Sequence, residues 1–433
     1  MKRILRVDLA VIGAGSAGLS VAAGAAQLGL TVVLFEAGEM GGDCLNTGCV
    51  PSKALISAAS KGWDFARTMA HVRATIETIA PIDSQARFEG LGVTVIREHA
   101  SFCGRRTLQS DSAEVTARKI VIATGSRPRV PPGFEGCLTN ETIFNLEALP
   151  ERLTVVGGGP IGLELGQAFA RLGSKVTVFE ADRCLSREDP DLAAVVLDQL
   201  RAEGIDIREG AKADIEPGAA VLVATGRAPN VEGLNLEAAG VAHDQHGVKT
   251  DRSLRTTNHA VFAIGDVAGG GFTHQAGAHA ALFVRRALFA SPIDKAALVI
   301  PRVTYTDPEL AVVGLTETEA RAAHGEAITV LTHRFEDNDR AQAEGDTRGF
   351  GKLITDKRGR ILGAAIVGKD AGDLIQPFVL AMTAKVPLSK LAGTIAPYPT
   401  RGEIAKRLAG QYYSPILFSA RTRWLVSLLK RLA

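Results

Sequence analysis

The chain has 433 residues, of which 46% are hydrophobic and 22% charged, and its formal net charge is +2. The length accommodates about three domains, the composition is that of an ordinary globular protein, and the small net charge argues against a nucleic-acid partner. Five cysteines, an odd number, fit a reducing cytoplasm better than a secreted disulfide framework.

The N-terminal segment is basic and then apolar, as in a signal peptide, but Asp8 interrupts it and no small-residue cleavage site follows. Residues 9–35 carry no charge and are long enough to span a bilayer. A second copy of the segment contains Glu164, Arg171 and Lys175, which a membrane span would not tolerate cheaply. We therefore expect a buried strand–helix–strand unit in a cytoplasmic protein.

The two copies, residues 8–37 and 152–181, are related by a shift of 144 positions. Each predicts a strand, a G-x-G-x-x-G turn, a helix, a second strand and a terminal acid. The glycines of such a turn admit a pyrophosphate to the helix N-terminus, and the acid accepts a hydrogen bond from a ribose hydroxyl. The residues predicted to bind two dinucleotides are Gly13, Gly15, Gly18 and Glu36 in the first copy, and Gly157, Gly159, Gly162 and Glu180 in the second.

Two cysteines, Cys44 and Cys49, lie in the stretch GGDCLNTGCVPSK, residues 41–53. Helical residues at this spacing have Cα atoms about 8–9 Å apart, and a disulfide needs roughly 4.4–6.8 Å, so a bond would require the backbone between them to leave the helix. Pro51 suits the first helical position, which places Cys49 at the positive helix end, and Lys53 adds a second positive charge. We interpret the stretch as a redox-active disulfide with one sulfur poised as a thiolate; the alternative is two buried cysteines in a loop.

Three further apolar strands lead into polar motifs. The segments 119–128 and 220–230 each contain Ala-Thr-Gly, which makes Thr124, Gly125 and Gly226 candidate cofactor residues. The strand in 260–270 ends at Asp266. An acid in that position can accept from a ribityl or ribose hydroxyl, although it could instead cap a helix.

No glycine fingerprint recurs after residue 300. The stretch PRVTYTDPELAVVG is predicted to be a strand, and Thr316 with Glu319 predicts a capping box that opens a helix. A hairpin turning at 357–359 and helices at 373–384 and 402–411 complete an α+β region.

Together these features resemble the flavin-dependent pyridine nucleotide–disulfide oxidoreductases, and residues 41–56 are very similar to the active-site stretch of dihydrolipoamide dehydrogenases and mercuric reductases. The resemblance implies an α/β fold with two Rossmann-like dinucleotide-binding domains, for FAD and NAD, and a C-terminal α+β dimerisation domain. The implied boundaries are 1–150 and 256–299 for the FAD domain, 151–255 for a shortened NAD(P) domain, and 300–433 for the dimerisation domain.

The resemblance also implies roles for individual residues. FAD would lie on the first fingerprint, Glu36 and Asp266, and NADH on the second. Cys49 would be the thiolate against the flavin and Cys44 the sulfur that exchanges with substrate. A homodimer would bring the C-terminal motif to the other subunit's disulfide. The catalytic residues implied are Cys44, Cys49, Lys53, Glu164, Tyr398 and Glu403.

The C-terminal motif IAPYPTRGE departs from the lipoamide and glutathione enzymes, because Tyr398 stands where they carry a histidine and Glu403 takes the place of their glutamate. Mercuric reductases do carry tyrosine there, but they end in a vicinal cysteine pair, and this chain has no cysteine after Cys184. A tyrosine is protonated at neutral pH and is a poor base. We therefore expect weak dihydrolipoamide dehydrogenase activity and better turnover with an acceptor that needs no thiol deprotonation, such as a quinone, a soft metal ion or an oxidised small molecule. The broader prediction for the partner is a small-molecule or disulfide acceptor.

The nicotinamide region is short. From Ile207 to Val223 it spans 16 positions, where the first half spans 27 from Val95 to Ile122. A flavin-binding redox sensor or scaffold with an impaired nicotinamide site is therefore an alternative function. Glu180 would repel a 2′-phosphate, so we expect NADH over NADPH, with Arg183 near enough in sequence to keep NADPH possible.

The segment 421–432 predicts a basic amphipathic helix. Its apolar face consists of Trp424, Leu425, Leu428, Leu429 and Leu432. Such a helix can lie on an anionic membrane or pack on its own protein, which is the commoner outcome.

Overall fold

The computed structural model describes residues 2–431, and Leu432 of the predicted apolar face therefore lies outside the described residues. The chain divides into two compact units, one formed by the residues up to 181 together with 211–298, the other by 182–210 together with the residues from 299 onward. The three-domain boundaries remain a prediction. Within the described range, no helix combines the length and the apolar character that crossing a membrane requires.

The first unit is built on a seven-stranded sheet. Its strands, in spatial order, are Val93–Ile96, Val32–Phe35, Arg3–Ile12, Ala113–Ile122, Thr107–Gln109 and Ser101–Gly104, with Val261–Ala263 also beside Ala113–Ile122. The first three strands, Ala113–Ile122 and Val261–Ala263 pair in parallel. Their apolar runs are buried on both faces, as in the Leu9–Val11 stretch, which is why they lack an alternating polar pattern.

A second, smaller sheet in this unit repeats the arrangement. Arg152–Val156 pairs in parallel with Lys175–Glu180 and with Ala220–Val223. The helices Ser16–Gln27 and Pro160–Leu172 connect the first two strands of each copy. Both copies are therefore strand–turn–helix–strand units, and the predicted α/β fold class is confirmed.

The two Ala-Thr-Gly segments meet in space. Ser126–Pro128 pairs antiparallel with Arg227–Pro229, so the residues after each Ala-Thr-Gly form one short ladder. A second two-stranded ladder joins His243–Asp244 to Gly247–Val248. The remaining helices of the first unit are Gly42–Asn46, Cys49–Ser60, Phe65–Asp83, Gln85–Gly90, Leu236–Ala239 and Thr273–Ala287.

The second unit contains a five-stranded antiparallel sheet. Its order is Arg302–Thr304, Glu309–Gly314, Ile361–Gly368, Phe350–Asp356 and Ile328–Arg334. The predicted single strand over 301–314 is wrong: it is a hairpin whose turn, residues 305–308, is closed by the Thr306 hydroxyl donating to the Pro308 carbonyl at 2.8 Å. The capping box of Thr316 and Glu319 and the 357–359 turn are confirmed.

The second unit also contains α-helices. They are Pro190–Ala202, Glu317–His324, Asp339–Glu344, Ala371–Leu374, Gln376–Thr383, Leu388–Ala392, Glu403–Leu417 and Ala420–Leu429, and one more strand is Asp206–Glu209. The predicted helix at 373–384 is thus two consecutive helices, and the one predicted at 402–411 continues to Leu417. Lys352 is buried against Asp191 and Glu317, with Nζ to carboxylate distances of 2.8 and 3.1 Å.

Candidate functional site

The first glycine fingerprint forms a tight turn between a strand and a helix. Gly13 has a φ of +103°, and a Cβ there would collide with the carbonyl oxygen of Ala123. A Cβ on Gly18 would collide with the carbonyl oxygen of Gly13. Gly15, between them, is the N-cap of Ser16–Gln27. The first and third glycines thus close the turn, while the middle one leaves backbone open where a phosphate group can approach.

A cavity of about 520 Å³ lies beside this turn, and Gly13, Glu36 and Thr124 contribute to its lining. The Glu36 carboxylate accepts hydrogen bonds from the backbone N–H groups of Ala14 and Gly38, both at 2.6 Å. These bonds hold the acid at the strand end with acceptor capacity left for a hydroxyl group. The residues present therefore fit the adenosine half of a dinucleotide.

The second fingerprint has the same construction. Gly157 has a φ of +113°, and a Cβ on Gly162 would collide with the Gly157 carbonyl oxygen. A Cβ on Gly159 would meet no heavy atom within 4 Å. Glu180 Oε2 accepts a hydrogen bond from the Gly158 N–H at 2.7 Å, so the acid again lies next to the turn. This copy also fits a dinucleotide.

The two cysteines lie on consecutive helices. Cys44 is in Gly42–Asn46, Gly48 is the N-cap of the next helix, and Cys49 is its first residue. The backbone between the cysteines leaves the helix, as predicted, but Pro51 occupies the third helical position rather than the first. Proline is tolerated throughout a first turn, because those N–H groups have no partner within the helix, so Cys49 sits deeper in the positive helix end than expected.

Cys44 and Cys49 are both free of a disulfide in this structure, Cys44 half-buried and Cys49 exposed. Hydrogen bonding from the Cys44 thiol is the largest cause that lowers the pKa of Cys49, to about 6. The Thr273 hydroxyl, 3.4 Å from Cys49 Sγ, and the charge of Lys53 lower it as well. Hydrogen bonding with Cys49, together with burial, raises the pKa of Cys44. One sulfur is therefore a thiolate at neutral pH, and its neighbour retains the proton.

Lys53 and Glu164 form an ion pair. Lys53 lies on the helix that begins at Cys49 and Glu164 on Pro160–Leu172, and Lys53 Nζ donates to Glu164 Oε2 at 2.8 Å. The structure thus brings together two residues predicted for one site although 111 positions separate them. The buried carboxylate fixes the direction of the side chain of Lys53, a residue one helical turn after Cys49.

Asp266 lies just after the strand Val261–Ala263, in the 3₁₀ turn Gly265–Ala268. Its Oδ2 accepts a hydrogen bond from the Ser126 hydroxyl at 2.6 Å, and it makes no capping bond to that turn. The position at a strand carboxyl end is the one predicted for a hydroxyl acceptor. That Asp266 accepts a hydrogen bond from a cofactor hydroxyl stays a prediction.

Arg227 is a site residue that the sequence analysis missed. Its Nη2 lies 3.0 Å from Asp43 Oδ2, its Nε donates to the Ser126 hydroxyl at 2.7 Å, and its Nε is 4.0 Å from Asp266 Oδ2. Arg227 thus connects the segment of the cysteines with the residues around Asp266. Its position directly after the second Ala-Thr-Gly was the available signal.

The Ala-Thr-Gly residues have structural partners. Thr124 Oγ1 donates to the Asn230 carbonyl at 2.6 Å, and the Asn230 amide donates back to the Thr124 carbonyl at 2.9 Å. Gly125 and Gly226 have φ values of +69° and +118°, which turn the chain into the short ladder. Of Thr124, Gly125 and Gly226, only Thr124 contributes to the lining of the cavity beside the first glycine turn.

Tyr398 and Glu403 belong to the second unit. The exposed Tyr398 hydroxyl donates to Asp339 Oδ2 at 2.8 Å, and this bond raises the pKa of Tyr398. Glu403 begins the helix Glu403–Leu417 and accepts from Arg407 Nη2 at 3.4 Å. The tyrosine is therefore held by Asp339 and is ionised at neutral pH even less than an ordinary tyrosine.

The shortened part of the nicotinamide region is irregular. Residues 211–219, which precede Ala220–Val223, form no helix and no strand. The corresponding part of the first half carries Ser101–Gly104 and Thr107–Gln109. The shortness predicted for this region agrees with this backbone, while the glycine turn and Glu180 remain in place.

Comparison with known proteins adds family information. The sequence model of the pyridine nucleotide-disulphide oxidoreductase family matches residues 7–281, and the model of that family's dimerisation domain matches residues 300–409.

Related proteins match over nearly their whole length. Dihydrolipoyl dehydrogenase from Geobacillus stearothermophilus is 34% identical over 454 residues, covering 94% of this chain and 96% of its own. Mercuric reductase from Streptomyces lividans is 35% identical over 459 residues, covering 94% and 97%. A solved structure of the HOCl-induced flavoprotein disulfide reductase RclA from Escherichia coli has a TM-score of 0.86 and 31% identity, covering 93% of this chain and 99% of that one.

Proposed function

Because the chain belongs to the pyridine nucleotide-disulphide oxidoreductase family, an FAD-dependent family with NAD(P)H as electron donor, we propose that Cys44 and Cys49 are its redox-active pair and that they reduce an acceptor other than a lipoamide-type disulfide. The observation that carries the proposal is the position of Cys49 as the first residue of a helix, with the Thr273 hydroxyl 3.4 Å from its Sγ and with Lys53 of the same helix held by Glu164. Cys44 and Cys49 shift each other's pKa values in opposite directions, which agrees with this arrangement.

The cofactors would be held by the two fingerprints. FAD, when bound, supplies two-electron transfer between the nicotinamide and the cysteine pair. The residues proposed to hold FAD are Gly13, Gly15, Gly18, Glu36, Thr124, Gly125 and Asp266, and those proposed for NADH are Gly157, Gly159, Gly162, Glu180 and Gly226. Lys53, oriented by Glu164, contributes a fixed positive charge beside the thiolate.

The cysteine pair cycles between a disulfide and a thiol–thiolate pair. Reduction of the Cys44–Cys49 bond takes up two electrons and one proton, and leaves the Cys44 thiol and the Cys49 thiolate. Oxidation returns two electrons and one proton to the acceptor and the solvent, and re-forms the sulfur–sulfur bond. The hydrogen bond from Cys44 to Cys49 favours this protonation state, and the Thr273 hydroxyl supports it.

The acceptor class follows from Tyr398. We propose a homodimer, as the family's dimerisation domain suggests, in which Tyr398 of the partner subunit faces the cysteine pair. A tyrosine hydrogen-bonded to Asp339 donates a hydrogen bond but does not remove a proton from a thiol at neutral pH. A quinone, a soft metal ion or an oxidised small molecule needs no such proton removal, and is therefore the favoured acceptor.

The test is anaerobic reduction of the FAD-loaded protein by NADH, followed by mixing with a quinone, a soft metal ion, lipoamide or glutathione disulfide. We expect the quinone or metal ion to reoxidise the protein faster than either disulfide. Tyr398→His should raise dihydrolipoamide turnover at least tenfold. Tyr305→His, at a second tyrosine of the same unit, is the matched control and should leave it unchanged. Wild-type dihydrolipoamide turnover above that of Tyr398→His would refute the acceptor assignment.

A further inference from the structure

The C-terminal segment exposes an unusual concentration of apolar side chains. Among the described residues, eight of the nineteen exposed large hydrophobic side chains lie within positions 416–429. We call these eight the tail surface: Ile416, Leu417, Phe418, Trp424, Leu425, Val426, Leu428 and Leu429. The helix Ala420–Leu429 has no buried residue. The self-packing favoured for this segment on sequence grounds is therefore not what the structure of the single chain shows.

The tail surface is nevertheless carried by regular, capped structure. Ser419 is the N-cap of Ala420–Leu429, and its hydroxyl accepts from the Thr422 N–H at 3.2 Å. The Thr422 hydroxyl donates to the Ile416 carbonyl at 2.9 Å, which ties the helix to the end of Glu403–Leu417. These bonds orient the second helix relative to the first, so the apolar side chains form a defined surface.

Most apolar and basic side chains of the helix and of the two residues after it occupy different sides. At about 100° per residue, Trp424, Leu425, Val426, Leu428 and Leu429 fall within an arc of about 200°. Arg423, Lys430 and Arg431 fall in the opposite arc. Arg421, in the first turn, lies on the apolar side, where a long side chain can direct its guanidinium back to the polar boundary. This is the pattern of a helix that lies in an interface between apolar and anionic layers.

Charge is distributed unequally between this segment and the rest of the chain. Residues 404–433 contain six basic residues, Lys406, Arg407, Arg421, Arg423, Lys430 and Arg431, and no acidic residue, although the whole chain carries 47 acids and a net charge of +2. A partner for the tail surface must therefore accept apolar side chains and supply negative charge next to them.

We propose that the tail surface docks on an anionic lipid bilayer and makes the protein a peripheral membrane protein. A bilayer provides an acyl layer for the apolar arc and phosphate headgroups for the basic arc. A second copy of the chain fits less well, because pairing two tails would bring like charges together, and the match to the family's dimerisation domain stops at residue 409, before the tail surface begins. The proposal does not depend on the proposed acceptor.

The geometry fixes how the helix would bind. Ten residues span about 15 Å, half of the roughly 30 Å hydrocarbon thickness, so the helix lies parallel to the membrane. Trp424 would sit at the headgroup level, where tryptophan side chains concentrate. Phe418 and Leu417, at the end of the preceding helix, would enter the same plane.

The experiment is flotation of the FAD-loaded full-length protein with phosphatidylcholine vesicles containing about 30% phosphatidylglycerol, and with vesicles of phosphatidylcholine alone. We expect binding to the anionic vesicles at low salt, and a loss of binding as the salt concentration rises. Leu425→Ser with Leu428→Ser should weaken binding at least tenfold, since two leucines leave the acyl layer. Arg423→Gln with Lys430→Gln should weaken it about 25-fold, at about fivefold per charge.

Matched controls change exposed residues elsewhere. Phe289→Ser, at a phenylalanine that is 61% exposed against 48% for Leu425 and 41% for Leu428, should leave vesicle binding unchanged. Arg118→Gln with Arg252→Gln removes the same charge as the basic tail variant, at side chains 79% and 78% exposed, and should also leave it unchanged. In a Trp63→Phe background Trp424 is the only tryptophan. Its fluorescence emission should shift to shorter wavelength when anionic vesicles are added, and should not shift when vesicles of phosphatidylcholine alone are added.

Three results would overturn the proposal. One is the absence of flotation with anionic vesicles at low salt, and another is equal loss of binding in the tail variants and their controls. The third comes from sedimentation velocity: if Leu425→Ser with Leu428→Ser converts dimers into monomers, a second copy covers the tail surface. If that variant sediments as the wild type does but no longer floats with anionic vesicles, the result supports docking of the tail surface on a bilayer.

Discussion

Replacing Cys44 by alanine should raise the pKa of Cys49. In the wild type that pKa is about 6, and a hydrogen bond from the Cys44 thiol is the largest cause. A hydrogen bond to a charged group contributes about 1.5–3 kcal/mol, and one pKa unit corresponds to 1.36 kcal/mol. Loss of the donor should therefore move the pKa of Cys49 up by about 1–2 units, to about 7.5.

The consequence is large at slightly acidic pH. At pH 6.5 the thiolate fraction of Cys49 is about 75% for a pKa of 6 and about 9% for a pKa of 7.5. The rate of alkylation follows this fraction, because the thiolate is the nucleophile. We expect Cys49 of the Cys44→Ala variant to be alkylated about eightfold more slowly than that of the wild type at pH 6.5. Above pH 9 the two alkylation rates should converge.

The assay is alkylation of the reduced, anaerobic protein by iodoacetamide from pH 5 to 9, with modification at Cys49 followed by tandem mass spectrometry. Cys44→Ser is the matched control, since its hydroxyl can still donate to Cys49, and its inflection should lie nearer the wild type. An inflection near pH 6 in Cys44→Ala would refute the reasoning, and would assign the low pKa to Lys53, Thr273 and the helix N-terminus.

The remaining predictions concern Lys53, Glu180 and a buried lysine. Lys53→Met should raise the pKa of Cys49, but by less than Cys44→Ala, because the lysine acts only through its charge; the same alkylation series measures this. The kcat/KM should be higher with NADH than with NADPH. Glu180→Ala should bring the two values closer together, because it removes a negative charge that repels the 2′-phosphate of NADPH. Lys352→Met should cost about 3–5 kcal/mol of unfolding free energy in urea, because it leaves buried acids without their cation, whereas Lys369→Met should cost less than about 1 kcal/mol.

The lysine comparison has a structural basis. The Lys352 side chain is 4% exposed and lies among Asp189, Asp191 and Glu317, whereas that of Lys369 is 45% exposed beside Glu344. Burial opposes the charge of Lys352, but the hydrogen bonds and charges of the acids outweigh it and raise its pKa. Equal losses of unfolding free energy in Lys352→Met and Lys369→Met would show that the buried network contributes no more than a surface pair.

A higher kcat/KM with NADPH than with NADH would show that Glu180 does not face the ribose.

The sequence predicted what depends on local backbone. The glycine turns were predictable because collisions at Gly13 and Gly18 leave no room for a side chain. The Lys53–Glu164 pair was available only through family resemblance, because no local pattern connects residues 111 positions apart. Arg227 was missed for the same reason: its partners Asp43, Ser126 and Asp266 come from three distant segments. The 301–314 hairpin was misread as one strand because its four turn residues interrupt an otherwise apolar pattern only briefly.

The position of Arg227 also determines how the cysteine segment can move. One planar guanidinium contacts Asp43, the Ser126 hydroxyl and carbonyl, and Asn140. Its five N–H donors diverge from a rigid group, so a shift of any one partner strains the bonds to the others. The residue before Cys44 is therefore fixed from outside its own helix, and the redox cycle proposed for the sulfur pair can proceed against a stationary backbone. A lysine at this position would keep the charge but would release the segment.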